Sequence, residues 1–170
     1  VGFAVRGAIL VDWGNQFGFT MTELGSITGG GFVGFGVIII LFSLIVDRVG
    51  YKPLLILAFV MHFLSLVVTV ATVYVFEAMG REAAWGTFLF AVGNGICESV
   101  VNPLVATLYP KNKTHYLNIL HAGWPGGMIV GGLLSIAFHS VVSWEVLMSF
   151  FLIPVLIYGF IILKEKFPIS

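Results

Sequence analysis

The 170-residue chain is strongly apolar, since 59% of its residues are hydrophobic and 9% are charged. Soluble domains carry about a quarter charged residues, so a soluble globule is excluded. Eight basic residues balance eight acidic ones, and no net charge draws the chain to nucleic acid. The single cysteine, Cys97, excludes an internal disulfide and a cysteine-based zinc site. These features predict an all-α integral membrane protein.

Charges and turn residues divide the chain into six apolar segments. The first is too short to cross a hydrocarbon core of about 30 Å, so we interpret it as the second half of a truncated first helix. The other five are long enough to cross, and residues 164–170 are predicted to begin a cytoplasmic linker to a missing C-terminal half. The predicted helices span about 1–16, 23–46, 53–76, 83–109, 116–142 and 143–163.

Basic residues lie mostly on one side of the predicted bundle. The loops after helices two, four and six carry Arg48, Lys52, Lys111, Lys113, Lys164 and Lys166. The opposite side carries only Arg81, beside Glu77 and Glu82. The positive-inside rule therefore predicts a multi-pass protein of the cell membrane with those three loops in the cytoplasm.

Several other residues are interpreted as structural. Helices two and five carry glycines at four-residue spacing, which favours close helix packing in lipid. Three tryptophans near the span ends are predicted to be interfacial anchors. The four histidines lack metal-ligand spacing, so neither a metal site nor an enzyme is expected. The glycines are Gly25, Gly29, Gly30, Gly34, Gly123, Gly127 and Gly131, and the tryptophans are Trp13, Trp85 and Trp144.

The loop after helix two places an acid and two bases in a tight turn. It contains Asp47, Arg48, Gly50 and Lys52, followed by Pro53. Glycine can supply a positive φ, and proline suits the first turn of the next helix. Any short cytoplasmic loop can carry basic residues, so the order of the residues is more informative than their charge.

Helix four carries three polar residues on one stripe. Asn94, Glu98 and Asn102 are four residues apart and therefore lie on one face of an apolar helix. A charged carboxylate at that depth costs a few kcal/mol unless it faces protein or water. We predict that Glu98 is a proton carrier and that both asparagines bind substrate. The alternative is a permanently protonated Glu98 that only packs helices together.

Helix five presents a second polar face. Asn118, His121 and Trp124 are three residues apart, so they project in similar directions. Hydrogen-bonding groups beside an aromatic ring suit a sugar, and we predict that all three bind substrate. Pro125 should bend the helix. The alternative is an interfacial asparagine and a tryptophan that fills core space.

Arg6 is a further candidate substrate ligand, because an arginine in the first helix is unfavourable facing lipid. From the cavity it could hold Glu98 charged, bind an anionic sugar acid, or pair with Asp12.

The loop after helix two resembles that of the major facilitator superfamily, which reads Gly-x-Leu-x-Asp-Arg-x-Gly-Arg-Arg or a close variant. Asp47, Arg48, Gly50 and Lys52 match this pattern. The resemblance implies that the loop is a cytoplasmic gate element. Transport at a normal rate by an Asp47→Asn variant would contradict that role.

Helices four and five are similar to those of the fucose permease branch, the sugar and proton symporters of this superfamily. The similarity rests on Glu98, Asn102 with Pro103, and the sequence Leu-Asn-x-x-His that ends at His121. It implies the N-terminal six-helix half of a twelve-helix permease, with Glu98 in proton coupling. The implied partners are a small-molecule sugar substrate, the lipid bilayer and the missing half of the same chain. No cofactor other than the coupling proton is implied.

The sequence thus predicts a secondary transporter of a sugar or sugar-like metabolite, driven by proton symport with alternating access. Three alternatives remain open. One is a uniporter or a permease for another solute. Another is a sensor or assembly protein that does not transport. It is favoured because the fucose permease branch often carries an acid near the position of Ala8, and this chain has none there. The third is a half-size subunit that dimerises.

Overall fold

The computed structural model describes the backbone of residues 1–76 and 81–168 and the side chains outside residues 72–82. Every regular element in these residues is an α-helix. Five spans are long and apolar enough to cross a membrane, which confirms the predicted all-α membrane class. They are Met21–Ser43, Tyr51–Ala71, Ala83–Leu108, Lys113–Phe138 and Trp144–Lys164.

The chain order of the helices follows the predicted segments with some subdivision. The elements are α1 Gly2–Ala8, α2 Leu10–Phe17, α3 Met21–Ser43, α4 Val46–Val49, α5 Tyr51–Phe76, α6 Arg81–Leu108, α7 Lys113–Phe138, α8 Trp144–Ser149 and α9 Leu152–Lys164. Helices α1 and α2 replace the predicted first helix. Glu77 and the side chains of Arg81 and Glu82, which define the predicted external loop, lie outside the described residues.

Helix α3 begins at Met21, two residues before the predicted start, because a capping box stabilises its first turn. The Thr20 hydroxyl accepts a hydrogen bond from the Glu23 N–H (3.3 Å), and the Glu23 carboxylate accepts one from the Thr20 N–H (2.8 Å). The pair satisfies two backbone donors that the helix itself leaves unpaired. The spacing of threonine and glutamate is visible in the sequence and could have located this start.

The last predicted helix is divided into α8 and α9. Residues 150 and 151 separate the two, and Pro154 is the third residue of α9. Proline has no N–H to donate, and its ring clashes with the carbonyl four residues earlier, which is that of Phe150. The interruption therefore follows from Pro154. Segment length and hydropathy, which predicted one continuous helix, do not reveal it.

Helix α6 is central, since it packs against α5 on one side and α3 on the other, while α7 contacts α1 and α6, and α9 contacts α5. One apolar core includes Val5 and Ile9 with Leu147 and Met148. A second core lies further along the bundle, where residues of α5 such as Ala58 meet residues of α6. These contacts leave much of α3 and α7 exposed within the chain. Only 17% of the apolar span of α3 and 11% of that of α7 is buried.

Two of the three tryptophans are not interfacial anchors. Trp13 is fully buried and Trp144 is 6% exposed, and their rings meet edge to face at 5.7 Å. The Trp144 indole N–H also donates to the Gln16 side chain (2.7 Å). The prediction was wrong because α8 packs over α2, a contact between distant segments. Trp85, 61% exposed, has no such cover in the described part of the chain.

The glycine stripes pack only in part within this chain. A Cβ at Gly34 would meet the Phe88 ring at 3.0 Å, and one at Gly131 would meet the Val1 carbonyl at 2.6 Å. A Cβ at Gly29 or Gly123 would meet open space. Close packing thus accounts for the α3–α6 and α1–α7 contacts but not for the whole of either stripe.

Gly95→Ala should destabilise the α3–α6 contact. A Cβ at this position would lie 2.7 Å from Ile38 Cγ2 and 3.1 Å from the Phe35 carbonyl oxygen, which cannot move without its helix. We expect a loss of about 1–3 kcal/mol in the free energy of unfolding, measured as a lower Tm in detergent. Gly36→Ala, which faces open space on α3, is the control. Equal Tm values for the two variants would contradict the contact.

Candidate functional site

An open cavity of about 810 Å³ lies among α3, α6, α7 and α9. Glu98, His121 and Trp124, three of the candidates from the sequence, line it together. Apolar side chains and Gly123 form most of the remaining wall, and α9 contributes Tyr158. An apolar cavity of a few hundred Å³ with a small number of polar groups is the usual form of a small-molecule site. The other lining residues are Phe35, Ile39 and Leu120.

Glu98 is held on the cavity wall by its neighbour one turn along α6. The Asn102 amide donates to the Glu98 carboxyl oxygen Oε1 (3.0 Å) and to the Glu98 backbone carbonyl (3.1 Å). The buried Asn102 Oδ1 has no hydrogen-bond partner among the described residues. Asn102 therefore orients the carboxyl group and does not line the cavity itself.

Helix α7 contributes His121 and Trp124, which lie about one turn apart on the cavity wall. Trp124 is 48% exposed, and its ring tilts against Phe3 with centroids 6.0 Å apart. A large aromatic surface is thus available to a ligand. Asn118 is exposed on the same helix but is not among the lining residues, so its predicted contact with substrate stays a prediction.

Arg6 lies in the packed interior and not in the cavity lining. Its guanidinium donates to the hydroxyls of Ser65 (2.6 Å) and Thr87 (3.3 Å) and lies 4.9 Å from the centre of the Phe90 ring. These contacts tie α1 to α5 and α6. The suggested ion pair with Asp12 is not formed, because Asp12 pairs with His139 (3.0 Å). A contact of Arg6 with substrate stays a prediction.

Asn94 is half-buried on α6 and is not among the cavity-lining residues, so its predicted contact with substrate stays a prediction. Its amide donates to the Phe90 carbonyl on the same helix (2.8 Å). His62 Nδ1 lies 2.7 Å from the Tyr158 hydroxyl oxygen. Tyr158 and His62 were missed because neither has a regular spacing to Glu98 in the sequence. Their polarity within apolar spans was the available signal.

The charged loop after α3 forms the short helix α4 and a turn. Gly50 has a φ of +93°, which confirms the predicted positive φ. Asp47 and Arg48 are exposed in α4. Lys52 donates to the carbonyls of Leu163 (3.3 Å) and Glu165 (3.1 Å), and so binds the C-terminal end of α9. The gate role implied by the sequence resemblance stays a prediction.

A family model described as the Major Facilitator Superfamily matches residues 1–168. No curated protein and no solved structure matches the chain.

Proposed function

The chain belongs to the major facilitator superfamily, a family of membrane transporters, and from that premise we propose that it moves a sugar or sugar-like metabolite by proton symport. It is a multi-pass membrane protein. In our proposal it forms one six-helix half of a twelve-helix permease, and the second half closes the open side of the cavity. The two halves would rock around the solute to expose it to each side in turn.

The observation that carries the sugar proposal is the convergence of Glu98, His121, Trp124 and Tyr158 on one cavity. Sugars combine hydroxyl groups, which need hydrogen-bond partners, with apolar C–H faces that stack on aromatic rings. Trp124 offers such a ring, and Glu98 and His121 offer hydrogen bonds. The apolar remainder of the wall excludes water from the solute.

Proton coupling is assigned to Glu98, the acidic residue among those that line the cavity. The Asn102 amide can donate to Oε1 whether the other carboxyl oxygen is protonated or not. The carboxyl group can therefore bind and release a proton without losing its position. When the cavity is closed and holds little water, a neutral carboxyl group at Glu98 costs less free energy than a carboxylate does.

In the proposed orientation, the loop with α4, the α6–α7 loop and the end of α9 lie on the cytoplasmic side of the cell membrane. Lys111 and Lys113 lie in or beside the second of these, and Lys164 ends α9. The positive-inside rule supports this orientation. A Lys113→Cys variant tests this orientation with a thiol reagent that does not cross the membrane. Labelling of this cysteine from outside intact cells would contradict it.

The first experiment is to follow external pH in lightly buffered, de-energised cells that express the full protein. Neutral sugars, amino sugars and sugar acids are added one at a time, with cells that lack the protein as the control. Alkalinisation on one addition is expected, because a symported proton leaves the medium with the sugar. Sugar equilibration without a pH change would contradict proton symport. No movement of any sugar would contradict sugar transport and favour a sensor that does not transport.

A further inference from the structure

We propose that Gly123 sets the size of the solute that this cavity accepts, because it lets the solute reach the backbone of α7. The proposal rests on the proposed function and assigns a specificity-determining residue within it. The sequence pattern placed Gly123 in a stripe of packing glycines and predicted no role for it in binding.

Gly123 does not serve a contact between the described helices. It lies in the interior of α7, and a Cβ at this position would have no atom of a neighbouring element within 4 Å in the described part of the chain. Gly131 on the same helix differs, because a Cβ there would lie 2.6 Å from the Val1 carbonyl oxygen. Gly123 is also not among the described glycines with a positive φ. Neither helix packing nor backbone conformation within these residues therefore requires a glycine here.

The position of Gly123 on the cavity wall supplies a reason for the glycine. Glycine inside a helix is less stable than alanine, and close approach of the backbone to a ligand is one role that offsets this cost. Gly123 lines the cavity together with Leu120, His121 and Trp124 of the same helix. A side chain at position 123 would meet no protein atom at its Cβ and would take up space in the cavity. The glycine thus leaves space that a solute can fill.

The space at Gly123 adjoins the ring on which the solute is proposed to stack. Trp124 follows Gly123 directly in the chain, and both residues line the same cavity. A sugar that lies on the indole therefore brings a substituent towards the α7 backbone at position 123. A bulky substituent fits beside glycine but collides with a larger side chain, and one methylene in a pocket changes selectivity about 10- to 200-fold. Gly123 therefore selects solutes by their bulk.

The accessibility test uses the full protein in membrane vesicles and does not depend on transport. Gly123→Cys is made in a background that lacks Cys97 and any other native cysteine, and is treated with a water-soluble methanethiosulfonate reagent. We expect rapid labelling, because the side chain would lie in a water-filled cavity. Gly132→Cys is the matched control, since this glycine of α7 also faces open space but does not line the cavity. It should react at least about 10-fold more slowly, because a thiol in apolar surroundings forms little thiolate.

The transport test uses proteoliposomes and competing sugars of increasing size. D-xylose, D-glucose and N-acetylglucosamine compete with uptake of the transported sugar, and the inhibition constant of each is measured. For the largest sugar that wild type binds, Gly123→Ala should raise this constant about 3- to 10-fold and Gly123→Leu more than about 10-fold, with the smallest sugar affected least. Gly126→Ala and Gly126→Leu add the same atoms at a glycine of α7 outside the cavity lining, and should change none of the constants.

Each test can overturn a part of the proposal. Unchanged inhibition constants in both Gly123 variants would overturn the size role. Equal changes for all bound sugars, together with a lower Tm in detergent, would also overturn it and would indicate that Gly123 packs against the second half. Labelling at position 123 as slow as at position 132 would overturn its place in the cavity. If wild type binds none of the sugars, the proposed function fails and the sugar selectivity fails with it, while the labelling still decides whether Gly123 faces a water-filled cavity.

Discussion

Glu98→Gln should abolish uphill sugar accumulation and leave exchange of sugar across the membrane intact. Glutamine keeps the size of the side chain and an oxygen that can accept from Asn102, as Glu98 Oε1 does at 3.0 Å. It cannot take up or release a proton, so the gradient no longer drives the solute. The variant should therefore behave as a facilitator.

The expected size of the effect follows from the membrane potential. One proton driven by about 100 mV carries about 2.3 kcal/mol, which supports roughly 50-fold accumulation of a neutral sugar. In Glu98→Gln this ratio should fall to about 1. Proteoliposomes with an imposed gradient measure the accumulation, and counterflow of labelled sugar at equal pH measures exchange.

Two variants serve as controls for Glu98→Gln. Glu145→Gln removes an acid from α8, outside the cavity lining, and should leave accumulation unchanged. Glu98→Asp keeps a titratable carboxyl group and should retain uphill transport at a lower rate. Accumulation at the wild-type ratio by Glu98→Gln would show that Glu98 is not the coupling group.

Trp124→Ala should weaken sugar binding more than any other single change of the apolar wall. The ring lines the cavity and is 48% exposed, so its face is free to cover the C–H surface of a sugar. Burial of an aromatic side chain against a ligand contributes about 1.5–3 kcal/mol, which corresponds to a roughly 10- to 100-fold rise in KM. The initial rate of uptake over a range of sugar concentrations measures it.

Trp124→Phe retains an aromatic face and should lose much less affinity than Trp124→Ala. Trp85→Ala removes a tryptophan that is 61% exposed on α6 and does not line the cavity, so KM should not change. If Trp124→Ala transports with an unchanged KM, the ring only fills space beside Phe3, as the alternative interpretation of the sequence holds.

The stripe on α6 shows how far helical spacing can predict a site. A four-residue interval was sufficient to place Asn102 beside Glu98, because that contact lies within one helix. The same interval did not place Asn94 in the cavity lining, and its amide donates instead to the Phe90 carbonyl on its own helix. Spacing predicts which residues share a face but not what covers the face.

Arg6 and Tyr158 illustrate the same limit in opposite directions. Arg6 was a candidate for the cavity, yet hydroxyl groups of α5 and α6 surround it. Tyr158 had no polar neighbours in the sequence, yet it completes the cavity wall. Both outcomes depend on contacts between residues 59 to 96 positions apart, which no local pattern encodes.

The sequence by itself determined the membrane class, most helix positions, the glycine turn at Gly50 and the candidacy of Glu98, His121 and Trp124. These follow from hydropathy, backbone sterics and the free-energy cost of polar groups in lipid, all of which act locally along the chain. Only the tertiary structure decided that these three side chains share one cavity with Tyr158. That grouping depends on how α3, α6, α7 and α9 pack, and packing is set by the shapes of whole helix faces.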